Sequence, residues 1–400
     1  MSVSTPAAAP AAPHERRAAW ELLLNFAHAI DHWVLLIFAT AVSSIALEFG
    51  FSRWEDLMPY ATGAFFAFGF GSLPAGRLGD TRGRRPMMLA FFYGLGVSLL
   101  LVAIARGPWQ IAIALTLMGA FSAIYHPVGI PMLLRDAARP GRTIGINGLA
   151  GNLGIALAAL VTGLIVKYFG WRLAFVVPAA VSIGCGVLFA RLSPPEGEPP
   201  TRRKASSNAL PPAVLARVVA VITVIATTGA LLFNFTTNGN TELLRERMAA
   251  VVTDPAALGL LLAVVYAIAS LSQLLVGTLI DRAPIKRLLL ATVALQVPLF
   301  LLAAQAQGWI FFVLCVLFMG VVFGAIPFID AIIVRFVDDR IRSQVAGARL
   351  AISFSISSLA VYLLGPLVKG SGFDFLLLTM AAIAVVTFAA AMWLPGTERP

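Results

Sequence analysis

The sequence predicts an all-α membrane protein of twelve transmembrane helices arranged as two pseudo-symmetric six-helix bundles. Three observations carry this expectation. Of the 400 residues, 59% are hydrophobic and 12% charged, with a mean hydropathy of +0.89; a water-soluble domain carries about 25% charged residues. The apolar residues fall in runs long enough to cross a bilayer core about 30 Å thick, which takes about 20 residues in a helix rising 1.5 Å each. The second half also repeats landmarks of the first at an offset of 200 to 202 residues: Asp80 with Asp281, Pro127 with Pro327, Arg135 with Arg335, Arg142 with Arg342, Gly163 with Gly365 and Lys167 with Lys369.

The elements follow in order. Residues 1–19 begin with an Ala- and Pro-rich stretch that lacks a cleavable signal pattern. They read as a disordered cytoplasmic tail, with the first span, 20–48, as the insertion signal. Spans over 57–77, 87–105, 109–134, 143–167 and 171–192 complete a first bundle, 20–192, each bounded by Gly, Pro or charged residues. The segment 193–212, SPPEGEPPTRRKASSNALPP, has the composition of a solvated cytoplasmic linker and falls at mid-chain. Spans over 213–238, 257–280, 287–306, 309–334, 346–369 and 373–394 form the second bundle, 213–394, and 395–400 reads as a short cytoplasmic tail. Between the first two of these, Thr241 to Met248 reads as an amphipathic extension with no assignable chemistry. Helices alone fit, because lipid excludes irregular exposed backbone and the alternating polarity of a membrane barrel is absent. Cys185 and Cys315 fall inside apolar runs and read as small core residues with no disulfide framework.

A net charge of +10 invites a nucleic-acid partner, but its distribution encodes orientation instead. With both termini inside, seven basic residues lie outside: Arg53, Arg106, Lys167, Arg172, Arg245, Arg247 and Lys369. The other 22 of the 29 Lys and Arg residues fall at cytoplasmic ends, a strong positive-inside bias. The expectation is a multi-pass protein of the cytoplasmic (inner) membrane, with lipid and no nucleic acid as surroundings; oligomeric state is not encoded legibly. The sequence has no phosphate-cradling loop, no G-x-S-x-G elbow and no H-E-x-x-H pair. The reading is therefore of a non-enzyme without a cofactor, drawing its energy from a gradient.

Between the second and third spans the chain reads Gly76-Arg77-Leu78-Gly79-Asp80-Thr81-Arg82-Gly83-Arg84-Arg85, with a shorter copy at Gly277-Thr278-Leu279-Ile280-Asp281-Arg282. Gly76 allows two helices to approach, Asp80 can accept from a helix N-terminus and from Arg84, and Gly83 suits a tight turn. Gly76, Asp80, Gly83, Arg84 and Arg85 can thus latch one conformation at the cytoplasmic side, and Gly277 and Asp281 stand in the shorter copy. The pattern resembles the G-x-L-x-D-R-x-G-R-R/K signature of the major facilitator superfamily, with Thr81 at the usual Arg. The resemblance implies the major facilitator fold and a secondary transporter whose halves rock about a central site.

His28, Asp31 and His32 share one face of the first helix by their i, i+3, i+4 spacing. At 1.5 Å per residue Asp31 lies about 16 Å along its span from Trp20, and His126 about 13 Å from Arg135 on the fourth, so their depths match. Ionisable residues at lipid depth are functional candidates, and a carboxylate beside imidazoles can take up and release protons as a cavity opens. Asp31, His28, His32 and His126 are the expected proton-coupling residues. Asn152, Asn234, Asn238 and Asp330 are candidates for the solute cavity, with Asp330 near enough to the inner end to pair with Arg335. His28 and His32 also have the spacing of a metal-binding pair that Asp31 could complete, but too few ligands are legible to assign a metal. Leu232 and Phe233 occupy the positions aligned with Asp31 and His32, so the cluster is not duplicated.

Within the superfamily the chain is most similar to fosmidomycin-resistance-type exporters, on His and Asp in the first helix, Tyr125-His126-Pro127 in the fourth and Gly151-Asn152-Leu153-Gly154 in the fifth. Ala158-Ala159 stand where such exporters carry Gly-Pro. The resemblance implies efflux of a small organic solute in exchange for protons. Two alternatives stay open: an uptake permease for a metabolite, metal ion or metal chelate, and a non-transporting membrane scaffold or receptor.

Overall fold

A computed structural model describes residues 14–135, 137, 140–193, 211–280, 282–337 and 339–395. The expected terminal tails up to residue 13 and from 396, the linker over 194–210, and Asp281 lie outside the described residues.

The described chain is helical. The first half comprises α1 (His14–Glu48), α2 (Thr62–Arg82), α3 (Arg84–Ala103), α4 (Pro108–Ser122), α5 (Ile130–Leu134), α6 (Pro140–Phe169) and α7 (Trp171–Leu192). The second comprises α8 (Pro212–Arg247), α9 (Pro255–Ile280), α10 (Ile285–Gln305), α11 (Gly308–Gly324), α12 (Ile326–Phe336) and α13 (Asp339–Met392). These make twelve spans, because α4 with α5 and α11 with α12 are each one interrupted crossing, while α13 holds two joined at Gly372, where φ is 77° and the helix breaks. Helix α1 begins at His14 instead of residue 20, and α8 runs on through the amphipathic extension to Arg247.

The two interrupted crossings have one cause. Pro127 and Pro327 each lack an N–H and crowd the preceding turn. A π-helical turn, Tyr125–Gly129, follows α4, and a break at Ala325 separates α11 from α12. Inside a bundle such freed backbone groups are tolerated.

In the first half α1 packs on α6 and α7, and α3 on α4 and α7; in the second, α8 packs on α13, and α9 and α10 on α11. The halves meet along two seams, α2 against α13 and α6 against α9. Glycines let backbones touch there: a Cβ on Gly69 would fall 2.6 Å from the Ser355 nitrogen, and one on Gly259 would fall 2.7 Å from the Ala159 oxygen. The outer perimeter is apolar, with Trp109, Ile113, Leu101, Ile310, Leu271 and Leu302 exposed, as a surface facing lipid requires.

The joining is polarised. Taking the loop around Gly83 as the motif end, the opposite, far end is where the halves are pinned. Lys167 of α6 is ion-paired with Asp254, and Lys369 of α13 with Asp56 in the 3₁₀ turn Trp54–Asp56. One helical turn before each lysine, Gly163 lies against the Pro255 carbonyl and Gly365 against that of Glu55. The pseudo-two-fold is thus visible as one contact made twice, each half gripping the loop of the other. At the motif end the second half instead carries a hydrophobic core of its own, around Val218, Ile222, Leu289, Phe328, Ile333 and Leu394.

Candidate functional site

The polar cluster of α1 sits where α1, α4, the π-helical turn and α6 converge. Asp31 is fully buried. Its Oδ1 accepts a hydrogen bond from Ser122 Oγ at the end of α4, and its Oδ2 lies 3.6 Å from His126 Nε2. Neither Asp31 Oδ2 nor His126 Nε2 has a hydrogen-bond partner among the described residues. His126 is 19% exposed and so forms the cluster's open side. His126 lies in the π-helical turn, and its ring stands edge-on to those of His28 and His32 on α1 at 5.0 and 5.8 Å.

His28 and His32 stand one turn apart with their Nε2 atoms 3.1 Å from each other. His28 Nδ1 lies 2.7 Å from the Asn147 carbonyl of α6. Since a carbonyl only accepts, His28 carries its proton on Nδ1; as a neutral ring its Nε2 then accepts, and His32 Nε2–H donates to it. The amide of Asn147 donates to Asn25 Oδ1 at 3.0 Å and to the Tyr125 hydroxyl at 2.7 Å, and that hydroxyl donates to the Leu24 carbonyl at 2.9 Å. The Tyr125 ring stacks on His28 with centroids 4.8 Å apart. A Cβ on Gly151 would meet the His28 ring at 2.7 Å, and one on Gly154 would fall 2.2 Å from the Ala29 oxygen. The glycines of the fifth span thus seat the histidine.

The cluster abuts the seam between the halves. His126 meets Phe68 of α2 edge-on at 5.8 Å, and Phe68 meets Phe354 of α13 at 5.2 Å. Asn152 is buried on α6 one residue after Gly151. The nitrogens of His28, His32 and His126 lie within 4.8 Å of one another, close enough to serve one metal ion.

Asn234 and Asn238 of α8 are buried and linked to α13: Asn234 Nδ2 donates to Ser357 Oγ at 2.9 Å, and Asn238 Nδ2 to the Asn234 carbonyl at 3.1 Å. Asp330 pairs with Arg349 of α13 at 3.2 Å, which corrects the expected partner Arg335. Arg349 itself is a residue that sequence reasoning missed: counted among the basic residues of the cytoplasmic side, it is 14% exposed and its Nε has no partner among the described residues. Ser122, Asn147 and Asn25 were also missed, for serine and asparagine in helices signal nothing until a partner from another helix is known. A cavity of about 50 Å³ lies away from the cluster at the far-end seam, bordered by Thr40, Ser44, Thr241 and Arg245.

At the motif end Asp80 pairs with Arg84 across the turn at 3.5 Å, and Gly83 takes φ 100°. Of the two partners expected for Asp80, a helix N-terminus and Arg84, the ion pair with Arg84 is the one formed among the described residues. A Cβ on Gly76 would touch that of Pro127 at 3.2 Å, whereas one on Gly277 would meet nothing within 4 Å. Arg85 donates to Ser193 Oγ and to the Ala190 carbonyl, tying α3 to the end of α7.

Comparison with known proteins gives this architecture a context. Residues 22–248 match the family model of the Major Facilitator Superfamily. The chain is 31% identical over 129 residues to the puromycin resistance protein pur8 of Streptomyces alboniger, covering 30% of this chain and 26% of that protein. It is 29% identical over 155 residues to the multidrug efflux pump LfrA of Mycolicibacterium smegmatis, covering 36% and 31%. These matches thus span under a third of the relatives' own length. Among solved structures, a bacterial homolog of the human lysosomal transporter Spinster, inward-facing and unoccupied, superposes with a TM-score of 0.70 at 14% identity, over 96% of this chain and 95% of that one. The nucleoside transporter NupG does so with a TM-score of 0.72 at 16% identity, over 94% and 99%.

Proposed function

The chain belongs to the Major Facilitator Superfamily, and from that premise we propose that it exports a small organic solute across the cytoplasmic membrane by alternating access, in exchange for protons. The observation that carries the reading is Asp31: a carboxylate enclosed at mid-span, held by Ser122 on one oxygen and facing His126 with the other, next to the Phe68–Phe354 contact between the halves. A carboxylate at that depth costs roughly 2.5–3.5 kcal/mol on insertion scales, and a cost of that size calls for a use. With Asp31, His28, His32 and His126 carrying the proton, Asn152, Asn234, Asn238 and Asp330 are assigned to the solute path. The motif end, rich in Arg, faces the cytoplasm together with both termini. The far-end pairs, Lys167 with Asp254 and Lys369 with Asp56, then hold the state that is closed to the outside. Efflux pumps among the relatives support the outward direction.

The test is flux of a compound panel in proteoliposomes under an imposed pH gradient, with the orientation of the inserted protein determined. A compound should accumulate on the side that the far end faces, driven by the gradient. Accumulation on the motif side would turn the reading to uptake, and no gradient-driven movement of any compound by folded protein would remove it.

A further inference from the structure

We propose that His28, His32 and His126 form a binding site for one divalent first-row transition ion, of the zinc, cobalt or nickel class, with the Asp31 carboxylate beside it next to His126. The inference goes beyond the transport reading and does not depend on it, because it concerns a ligand that binds whether or not the chain moves solute.

The donor geometry is the first support. A tetrahedral ion with Zn–N bonds of about 2.0–2.1 Å places its ligand nitrogens about 3.3 Å apart. The His28 and His32 Nε2 atoms are 3.1 Å apart, and one nitrogen from each of the three rings lies within 4.8 Å of the others. Side-chain rotations of about 1 Å would close the set around an ion. Helix α1 supplies two of the rings on one face, and the π-helical turn brings the third from across the bundle, so the site is assembled by the fold and not by a local sequence run.

The outer shell is the second support. Ligating imidazoles commonly donate their other N–H to a carbonyl or carboxylate, which fixes tautomer and ring orientation. His28 has this arrangement: Nδ1–H is committed to the Asn147 carbonyl, Asn147 is held by Asn25 and Tyr125, and the ring is stacked on Tyr125. Nε2 is left with its lone pair turned inward.

The third support is the pair of orphaned atoms. Asp31 Oδ2 and His126 Nε2 are buried without a hydrogen-bond partner among the described residues, 3.6 Å from each other. Buried polar groups are nearly always satisfied; an ion between the rings and the carboxylate supplies what both lack. Binding also requires that His32 give up the Nε2 proton it donates to His28, by moving it to Nδ1. The donor set of three imidazole nitrogens suits zinc, cobalt and nickel and lacks the soft sulfur that selects copper(I).

The experiment is titration of the full chain, purified without a polyhistidine tag in detergent, with Co2+ followed by its visible absorption and with Zn2+ by calorimetry. Wild type should bind one equivalent, with the intense absorption of four-coordinate cobalt. His32→Gln and His126→Gln, at the two less buried rings, should each weaken binding by more than the roughly 10–100-fold that loss of an outer-shell partner costs. His14→Gln, the remaining histidine, should bind as wild type. Melting temperatures of the variants establish that they are folded, and His28→Gln serves as the replacement if either fails. Absence of saturable binding by folded wild type would overturn the proposal. So would unchanged affinity in folded His32 and His126 variants. A lack of transport activity with intact ion binding would instead count only against the exporter reading.

Discussion

Asp31 is kept inside the bundle by few contacts, one hydrogen bond from Ser122 and the approach of His126. Asn at this position keeps an oxygen for Ser122 to donate to and removes the exchangeable proton. Asp31→Asn should therefore insert and fold yet lose the dependence of flux on a pH gradient; gradient-driven flux at the wild-type rate would contradict the role given to the carboxylate. Tyr125 makes a different prediction, one of stability. Removing its hydroxyl leaves the Leu24 carbonyl and one Asn147 donor short of a partner inside the bundle, while the ring that stacks on His28 survives. Tyr125→Phe should lower stability by about 1–3 kcal/mol, read as a lower melting temperature in detergent with transport retained. Asp31 and the three histidines were legible in the sequence because an ionisable group at lipid depth is costly and stands out in an apolar run. Ser122 and Asn147 were not, since they act on residues 91 and 119 positions away, and nothing local distinguishes them from residues that ease helix packing.

Helix α6 is where glycine placement can be tested against itself. A Cβ at Gly154 would sit 2.2 Å from the Ala29 backbone oxygen, but at Gly145, earlier in the same helix, it would meet nothing within 4 Å. Gly154→Ala must push α1 and α6 apart beneath His28 and should cost about 1–3 kcal/mol, the usual penalty of overpacking. Gly145→Ala should leave the melting temperature unchanged or raised, as alanine favours the helix by about 1 kcal/mol. Equal effects at the two positions would mean that the α1–α6 contact does not hold the site. Spans were readable from hydrophobic runs, apart from two features. The π-helical turn after α4 and the break between α11 and α12 arise from prolines whose effect depends on which neighbours accept the freed carbonyls. The continuity of α13 through Gly372 likewise hides a boundary that the apolar pattern had marked by a short polar gap.

Across the whole molecule, the two-fold repeat has a mechanical expression at the far end. The offset alignment paired Lys167 with Lys369 but could not reveal what each lysine holds, because the acidic partners lie in the opposite half. Asp254 is kept below the ordinary carboxylate range by the hydrogen bond from Lys167, helped by the Ala257 backbone N–H. A depressed pKa stabilises the paired state above the unfolded value and loses that contribution as pH falls through the folded one. The clamp at Asp254 should thus persist at neutral pH and release only below about pH 4. Charge reversal does the same at neutral pH: Lys167→Glu should raise the labelling rate of a cysteine placed at the far-end seam, and Lys167→Glu with Asp254→Lys should return it to the wild-type rate. Equal labelling in all three would mean that the pair does not govern the seam. An exchange of solute for protons carried at Asp31 must show as proton movement across the membrane. In proteoliposomes containing a trapped pH dye, a downhill gradient of a transported compound should drive protons the opposite way with wild type and leave the dye unchanged with Asp31→Asn. Solute flux without any proton movement in wild type, or an equal pH change in both proteins, would show that Asp31 does not carry the exchanged proton.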